Sequence, residues 1–281
     1  MAEKSITVTG SIEAKPSSSH LLKSAGQWLK IQASRGRTWG FVSVLVVWQV
    51  ASVISPEDTL SPPYVVFKAA IFHVILEDGF FIHVGSTLLR IITGFSIAFI
   101  LGLVIGVMMG ISRYWEKFFS DYVTVGITIP SLAWAVIGVL WLGIHYLTPV
   151  FSAVMIATPY VMVNVWEGVK NVDKDLVDMG RAFDVSRGRI IRDIYIPSIL
   201  PFVFAAVRIG FSVSWKLVVL AEVFGSSEGI GFMIFYWYEN FEMSLVLAWV
   251  TVFCFIMFIY EYGIVKTLER RLFAWRREVT L

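Results

Sequence analysis

The stretch "STLLRIITGFSIAFILGLVIGVMMGISR", residues 86–113, decides what kind of fold this chain can have. Between Ser86 and Gly110 it holds a single charged residue, Arg90, near one edge. About 20 such residues wound into a helix cross the ~30 Å hydrocarbon layer of a bilayer. Gly102, Gly106 and Gly110 recur at every fourth position, and a stripe of small residues on one helical face lets a second backbone approach closely. The stretch reads as a membrane-spanning helix with a packing seam.

The surrounding sequence agrees. Of 281 residues, 57% are hydrophobic and 16% charged, whereas soluble domains hold about 45–50% and about 25%. The excess comes in long blocks rather than alternating patterns. Spans are expected at residues 38–54, 86–110, 119–142 (with Pro130), 149–166 (with Pro159), 202–224 and 245–265. The fold class is therefore an all-α polytopic membrane protein of six transmembrane helices, occupying residues 38–265. Ahead of it lies a polar tail, 1–37, with no apolar signal-peptide run near Met1. Within that tail "HLLKSAGQWLKIQAS", residues 20–34, suits an amphipathic helix on the membrane surface. After the proline-rich "SPEDTLSPPY", residues 65–79 suit a second short amphipathic helix. Residues 266–281 form a basic tail. Cys254, the one cysteine, sits in an apolar run and reads as a small buried hydrophobe.

Six spans place both termini on one side. The N-terminal tail carries six Lys/Arg, residues 111–118 two, residues 167–197 six and the C-terminal tail five, which puts 19 of the 23 on that side. Basic residues accumulate in cytoplasmic loops, so that side is expected to be the cytoplasm.

"DMGRAFDVSRGRIIRDIYIPSILP", residues 178–201, belongs to the longest of these loops, 173–197. Two short helices are expected, 175–183 and 187–195, with Asp184–Val185–Ser186 as the turn. Pro197 and Pro201 should end the second one before the next span. Leu176, Met179, Ala182 and Phe183 would give the first helix an apolar face suited to a groove on a partner. A solvated connector carrying the positive-inside charges is the plainer reading, and the residues alone leave both open.

The loop resembles the EAA loop of permease subunits of ABC importers, in which E-A-A, three residues, G, nine residues and I-x-L-P follow in order. Asp178 takes the Glu position, Met179 and Gly180 the Ala positions and Asp184 the Gly position; Ile194, Ile196 and Pro197 match the close. Asp in place of Gly departs from the pattern, although Asp is among the few residues that visit the left-handed conformation. Residues 86–113 also resemble the first core helix of the nitrate/sulfonate/taurine/bicarbonate type of permease. "ITIPSLAWAVIGVLWLGI" (127–144) resembles its P-x-P segment, with Ser131 where a second proline is common. "VRIGFSVSWKLVVLAEVFGSSEGIGFMI" (207–234) and "LERRLFAWRRE" (268–278) resemble two later segments.

The resemblance implies a type I importer-like fold in a bacterial inner membrane, with both termini cytoplasmic. It also implies a homodimer with the pathway at its interface, ATP-binding cassette ATPase subunits beneath it and a soluble binding protein above. Asp178, Met179, Gly180, Arg181, Ala182, Phe183, Asp184, Arg187 and Pro197 would form the ATPase-coupling element. The chain has no G-x-x-x-x-G-K-[ST] phosphate loop, so ATP is expected on a separate subunit and no cofactor on this one. Membrane lipid is an expected partner; nucleic acid is not.

Charges inside spans are costly and are therefore functional candidates. Arg208, Trp215 and Glu222 are spaced seven apart, on one helical face, with Lys216 beside them. Together with Trp134 they are the candidate pathway residues. For Arg208 and Glu222 the simpler expectation is a position near the two membrane surfaces. "FYWYENFE", residues 235–242, is expected outside, as an interfacial helix or a contact for a delivery protein. No metal-ligand spacing and no nucleophile–base pair is present. The competing classes are an ion-driven secondary transporter, which would show internal repeats and mid-span carboxylates, and a membrane enzyme or scaffold.

Overall fold

The computed structural model describes residues 36, 38–55, 59–76 and 79–267. The expected helix at 20–34 and the ending at 268–278 lie outside the described residues. The chain divides into two compact units, residues 1–56 and 57–281. In the first, α1 (Thr38–Ile54) is an apolar helix. Its 17 residues measure ~25 Å at 1.5 Å per residue, short of a perpendicular crossing.

Every regular element among the second unit's described residues is a helix. It comprises α2 (Pro63–Ile75), α3 (Phe80–Ile111), α4 (Arg113–Thr128), α5 (Ser131–Leu142), α6 (Leu147–Lys170), α7 (Lys174–Ala182), α8 (Arg187–Gly225), α9 (Ile230–Glu239) and α10 (Met243–Val265). The helix expected at 65–79 is α2. It begins at Pro63, a first-turn position where proline's missing N–H costs nothing.

Among the described residues α3, α6, α8 and α10 are each long and apolar enough to cross a membrane. The expected span at 119–142 is instead two helices, α4 and α5, bent by 96°. Pro130 causes the break: the residue before a proline is pushed out of the helical region, and Ile129 is extended at φ −60°, ψ 127°.

The α3 seam shows that this bent pair still returns the chain. A Cβ on Gly94, Gly102 or Gly110 would lie 2.7 Å from Ala153, 2.6 Å from Val161 or 2.4 Å from Val169. At Gly106 it would meet the Met162 carbonyl and Val165 Cβ, both at 2.8 Å. The offset between α3 and α6 is constant along the seam, so the two helices run parallel and in contact over four turns. Parallel neighbours need a connection that runs back between them, and α4–α5 supplies it. The second unit thus holds four straight spans and one broken one, five rather than six without α1.

α6 is the centre of the bundle. Its other face packs against α8, where Gly210 meets Val161 and Gly225 meets Thr148. α10 closes the far side through Trp215–Phe253 and Phe211–Tyr260 ring contacts at 5.6 and 4.1 Å.

Two expectations are corrected here. Pro197 and Pro201 do not end a short helix; α8 runs unbroken for 39 residues from Arg187 to Gly225. Residues Ile191–Tyr195 wind as a wider π-turn just ahead of Pro197, and Ser198 Oγ donates to the Ile194 carbonyl at 2.7 Å. Such local adjustments re-satisfy the backbone that proline disturbs. Cys254 is exposed on the subunit rather than buried. An apolar neighbourhood does not place a residue inside when the outer surface of a span is itself apolar.

Candidate functional site

The loop after α6 is built from its caps. Asp173 opens α7 by accepting the Asp175 N–H at 2.9 Å, which satisfies a free amide of the first turn. At the other end Val185 N–H donates to Gly180 O at 2.9 Å and Asp184 N–H to Arg181 O at 3.0 Å. This six-to-one and five-to-two pair requires a left-handed residue between them, and Asp184 takes φ 51°. The family's glycine position is therefore a left-handed turn here too. A branched side chain there costs ~1–2 kcal/mol, or roughly tenfold in local opening. Asp184→Val should accordingly speed trypsin cleavage at the flanking Arg181 and Arg187 about tenfold, and Asp184→Gly should not. Equal cleavage of all three proteins would contradict a strained turn.

One face of α7 is committed to the loop's own core. Val177 and Gly180 are buried, with Gly180 against Ile190, and Val172, Ile190 and Ile194 complete the cluster. The opposite face is left open: Phe183 is 77% exposed, Met179 51% and Leu176 44%. Ala182 lies on that side as well. Asp178 and Arg181 pair at 3.1 Å on the surface, where an ion pair contributes little. Arg187 begins α8, and Pro197 lies inside it rather than closing the loop. Behind α7, a cavity of about 870 Å³ is lined by Arg113, Lys117, Lys170 and Lys174 together with Asp178 and Arg181.

The intramembrane residues do not form one stripe. Glu222 is fully buried at the Gly225 end of α8, inside the subunit. Arg90 Nη1 donates to it at 2.8 Å, the Thr87 hydroxyl at 2.9 Å and the Gly231 N–H at 3.0 Å. Arg90 also donates to the Glu228 carbonyl at 2.7 Å and lies 5.3 Å from the Tyr146 ring. The chain reaches this carboxylate only because residues 226–231 fold back tightly: a Cβ on Gly231 would lie 2.0 Å from the Val219 carbonyl. Gly229, at φ 119°, would place its own Cβ 2.5 Å from the Glu222 carboxylate. Glu222 is thus the centre of a structural knot joining α3, α8 and α9, three residues from the end of α8 and closed off inside the subunit. Sequence reasoning missed Arg90, Thr87 and Gly231; the available signal was that two arginines and two glutamates lie within the expected spans, enough to pair with one another.

Trp215 is buried between α3, α8 and α10. Arg208 pairs with Glu261 of α10. Trp134 is half-buried and packs with Leu217 and Tyr160. Lys216 alone of the five faces away from this packing; it is exposed and lines a cavity of about 370 Å³ beside the α4–α5 break.

Several apolar spans around a central helix, with a short capped helix between two of them, define a polytopic helical membrane protein. The chain belongs to the family described as "binding-protein-dependent transport system inner membrane component", which matches residues 98–273. It is 28% identical to the taurine transport system permease protein TauC of Escherichia coli over 245 residues, covering 85% of this chain and 88% of that one. It is also 28% identical to the nitrate import permease protein NrtB of Synechocystis over 211 residues, covering 73% and 77%. Its fold is similar to a subunit of the MetNI methionine ABC transporter in an inward-facing conformation. That likeness has a TM-score of 0.53 at 17% identity, over 66% of this chain and 94% of that one.

Proposed function

We propose that two copies of this chain form the membrane pathway of an ATP-driven importer for a small anionic solute. ATP is hydrolysed on separate subunits that dock against α7, and a soluble binding protein delivers the solute from the opposite side. α7 and both termini face the cytoplasm of a bacterial inner membrane, in keeping with the 19 basic residues assigned to that side. The anionic solute follows the relatives: one is named for nitrate, an anion, and one for taurine, a net-neutral zwitterion whose acidic end is an anionic sulfonate.

The observation that carries the reading is the open face of α7. Leu176, Met179 and Phe183 are presented to solvent by a helix capped at both ends and anchored to α6 and α8. A solvated connector has no need of that apolar face. Because α8 is unbroken from the loop to the Glu222 knot, a shift of α7 passes as rigid-body motion to the far side of the bundle. Closure of the ATPases on ATP draws the two loops together and opens the pathway outward.

Phe183→Ala tests the docking face. Truncating an aromatic anchor at an interface costs ~2–4 kcal/mol, so co-purification of the ATPase should collapse and uptake should stop, with the permease still present in the membrane at parental level. Normal ATPase retention together with normal uptake would rule out docking at this face.

A further inference from the structure

Within the apolar stretches 86–110, 119–142, 149–166, 202–224 and 245–265 lie three basic side chains, and two are neutralised inside the subunit. Arg90 is held by Glu222, and Arg208 by Glu261. Lys216 differs. Its neighbours Trp215 and Leu217 are each 1% exposed, while Lys216 itself points out of the core. It lies nine residues, or ~14 Å, from the Gly225 end of α8. That is too deep for an ammonium to rest among lipid tails without a polar partner.

No carboxylate among the described residues pairs with it. The elements around its cavity, α4, α5, α6 and α8, carry Glu116, Asp121, Glu167, Asp193 and Glu222. None of these lines the cavity; Glu116 pairs with Lys170 at the loop end and Glu222 with Arg90. The cavity wall contributes two hydroxyls, Ser131 at the start of α5 and Tyr160 on α6, and is otherwise mostly apolar. Thr128 also lines it, but its hydroxyl donates to the Thr124 carbonyl at 2.7 Å. The volume of about 370 Å³ equals that of roughly a dozen waters at about 30 Å³ each.

We infer that Lys216, with the Ser131 and Tyr160 hydroxyls, is the station at which a monovalent oxyanion is held on its way through the permease. One ammonium balances one negative charge, and the hydroxyls can donate to the remaining oxygens. A divalent anion would be left with uncompensated charge. Sulfonates, nitrate and bicarbonate satisfy this chemistry equally, so the station selects charge and size and leaves finer discrimination to other parts of the importer. This deepens the proposed function and rests on it: the solute must be an anion and the chain its pathway.

The test uses the whole importer, with its ATPase and binding protein, in proteoliposomes supplied with nitrate, bicarbonate, methanesulfonate or taurine. The parent should take up at least one of them. Losing a hydrogen bond to a charged group corresponds to about 10- to 100-fold, so uptake per assembled complex should fall by that factor in Lys216→Met. Lys216→Arg, which keeps the charge in another shape, should retain part of the rate. Parental uptake per complex by Lys216→Met overturns the inference and leaves the permease reading intact, as does a Met variant that merely yields less complex. Failure of the parent on all four solutes removes the anionic reading and this station with it. A second measurement does not depend on uptake. Lys216→Cys, in a Cys254→Ser background, should react with a sulfonate-bearing methanethiosulfonate and be protected by the transported anion; an inert thiol would place the side chain in lipid and end the proposal.

Discussion

Arg90→Met is expected to strip the permease of a large share of its stability, although Arg90 touches neither the α7 face nor the Lys216 cavity. The substitution leaves the Glu222 carboxylate fully buried without a counter-charge, 0% exposed in a site built to hold an ion pair. Removing one partner of a buried pair costs ~3–5 kcal/mol, against a total stability of ~5–15 kcal/mol for a typical domain. Glu222→Gln should cost less. Glutamine can still accept from Thr87, and Arg90 keeps the Glu228 carbonyl at 2.7 Å and the Glu228 carboxylate at 3.4 Å. The double variant Arg90→Met/Glu222→Gln removes both charges and should recover much of what Arg90→Met loses. The measurement is the yield and unfolding midpoint of monodisperse detergent-extracted permease. A parental midpoint for Arg90→Met would mean that the knot contributes nothing to folding.

The second large effect concerns the α3–α6 seam. Gly106→Ala places a methyl 2.8 Å from the Met162 carbonyl, a backbone atom that can move only if the helices part. Overpacking a well-packed contact costs ~1–3 kcal/mol, and a seam continuous over four turns should put this site at the upper end. Gly110→Ala meets the Val169 side chain instead, with its Cβ 2.4 Å away, so Val169→Gly, which removes that Cβ, should relieve it, whereas no side-chain change rescues Gly106→Ala. Gly85, on the same helix with nothing within 4 Å, is the control. There Ala should be neutral or stabilising, since alanine is the better helix former by ~1 kcal/mol. Thermal unfolding of the four proteins decides the matter; equal midpoints for Gly85→Ala and Gly106→Ala would show that the seam is not close-packed.

Much of this architecture is legible in the sequence, for identifiable reasons. The spans show because lipid demands long apolar helices, and the glycine stripe shows because its spacing of four is the helix's own. The left-handed turn at Asp184 follows from matching a glycine position with one of the few residues able to replace it. The open apolar face of α7 could be read from Leu176, Met179 and Phe183 before any fold was known. Other features are hidden because they depend on distant segments or on local accommodation. The Arg90–Glu222 pair joins residues 132 apart, and spacing along α8 alone assigned Glu222 to the wrong surroundings. Pro197 and Pro201 carry a strong stop signal that a π-turn and one serine hydroxyl override. Pro130 stands inside an expected span, but the 96° angle there depends on the packing of α4 and α5 against their neighbours.

The parallel α3–α6 seam has a consequence for how the protein is made. Its partners are 59 positions apart along the chain, as Gly102 and Val161 are, and the whole broken pair α4–α5 lies between them. During synthesis α3 must therefore enter the bilayer with its glycine face uncovered and stay there until Lys170 has been translated. Only then can α6 close the seam. α4 packs against α3 and α6, and α5 against α6 and α8, so neither has a finished site to occupy before that moment. The membrane insertion machinery, rather than the lipid, is the natural place for them to wait.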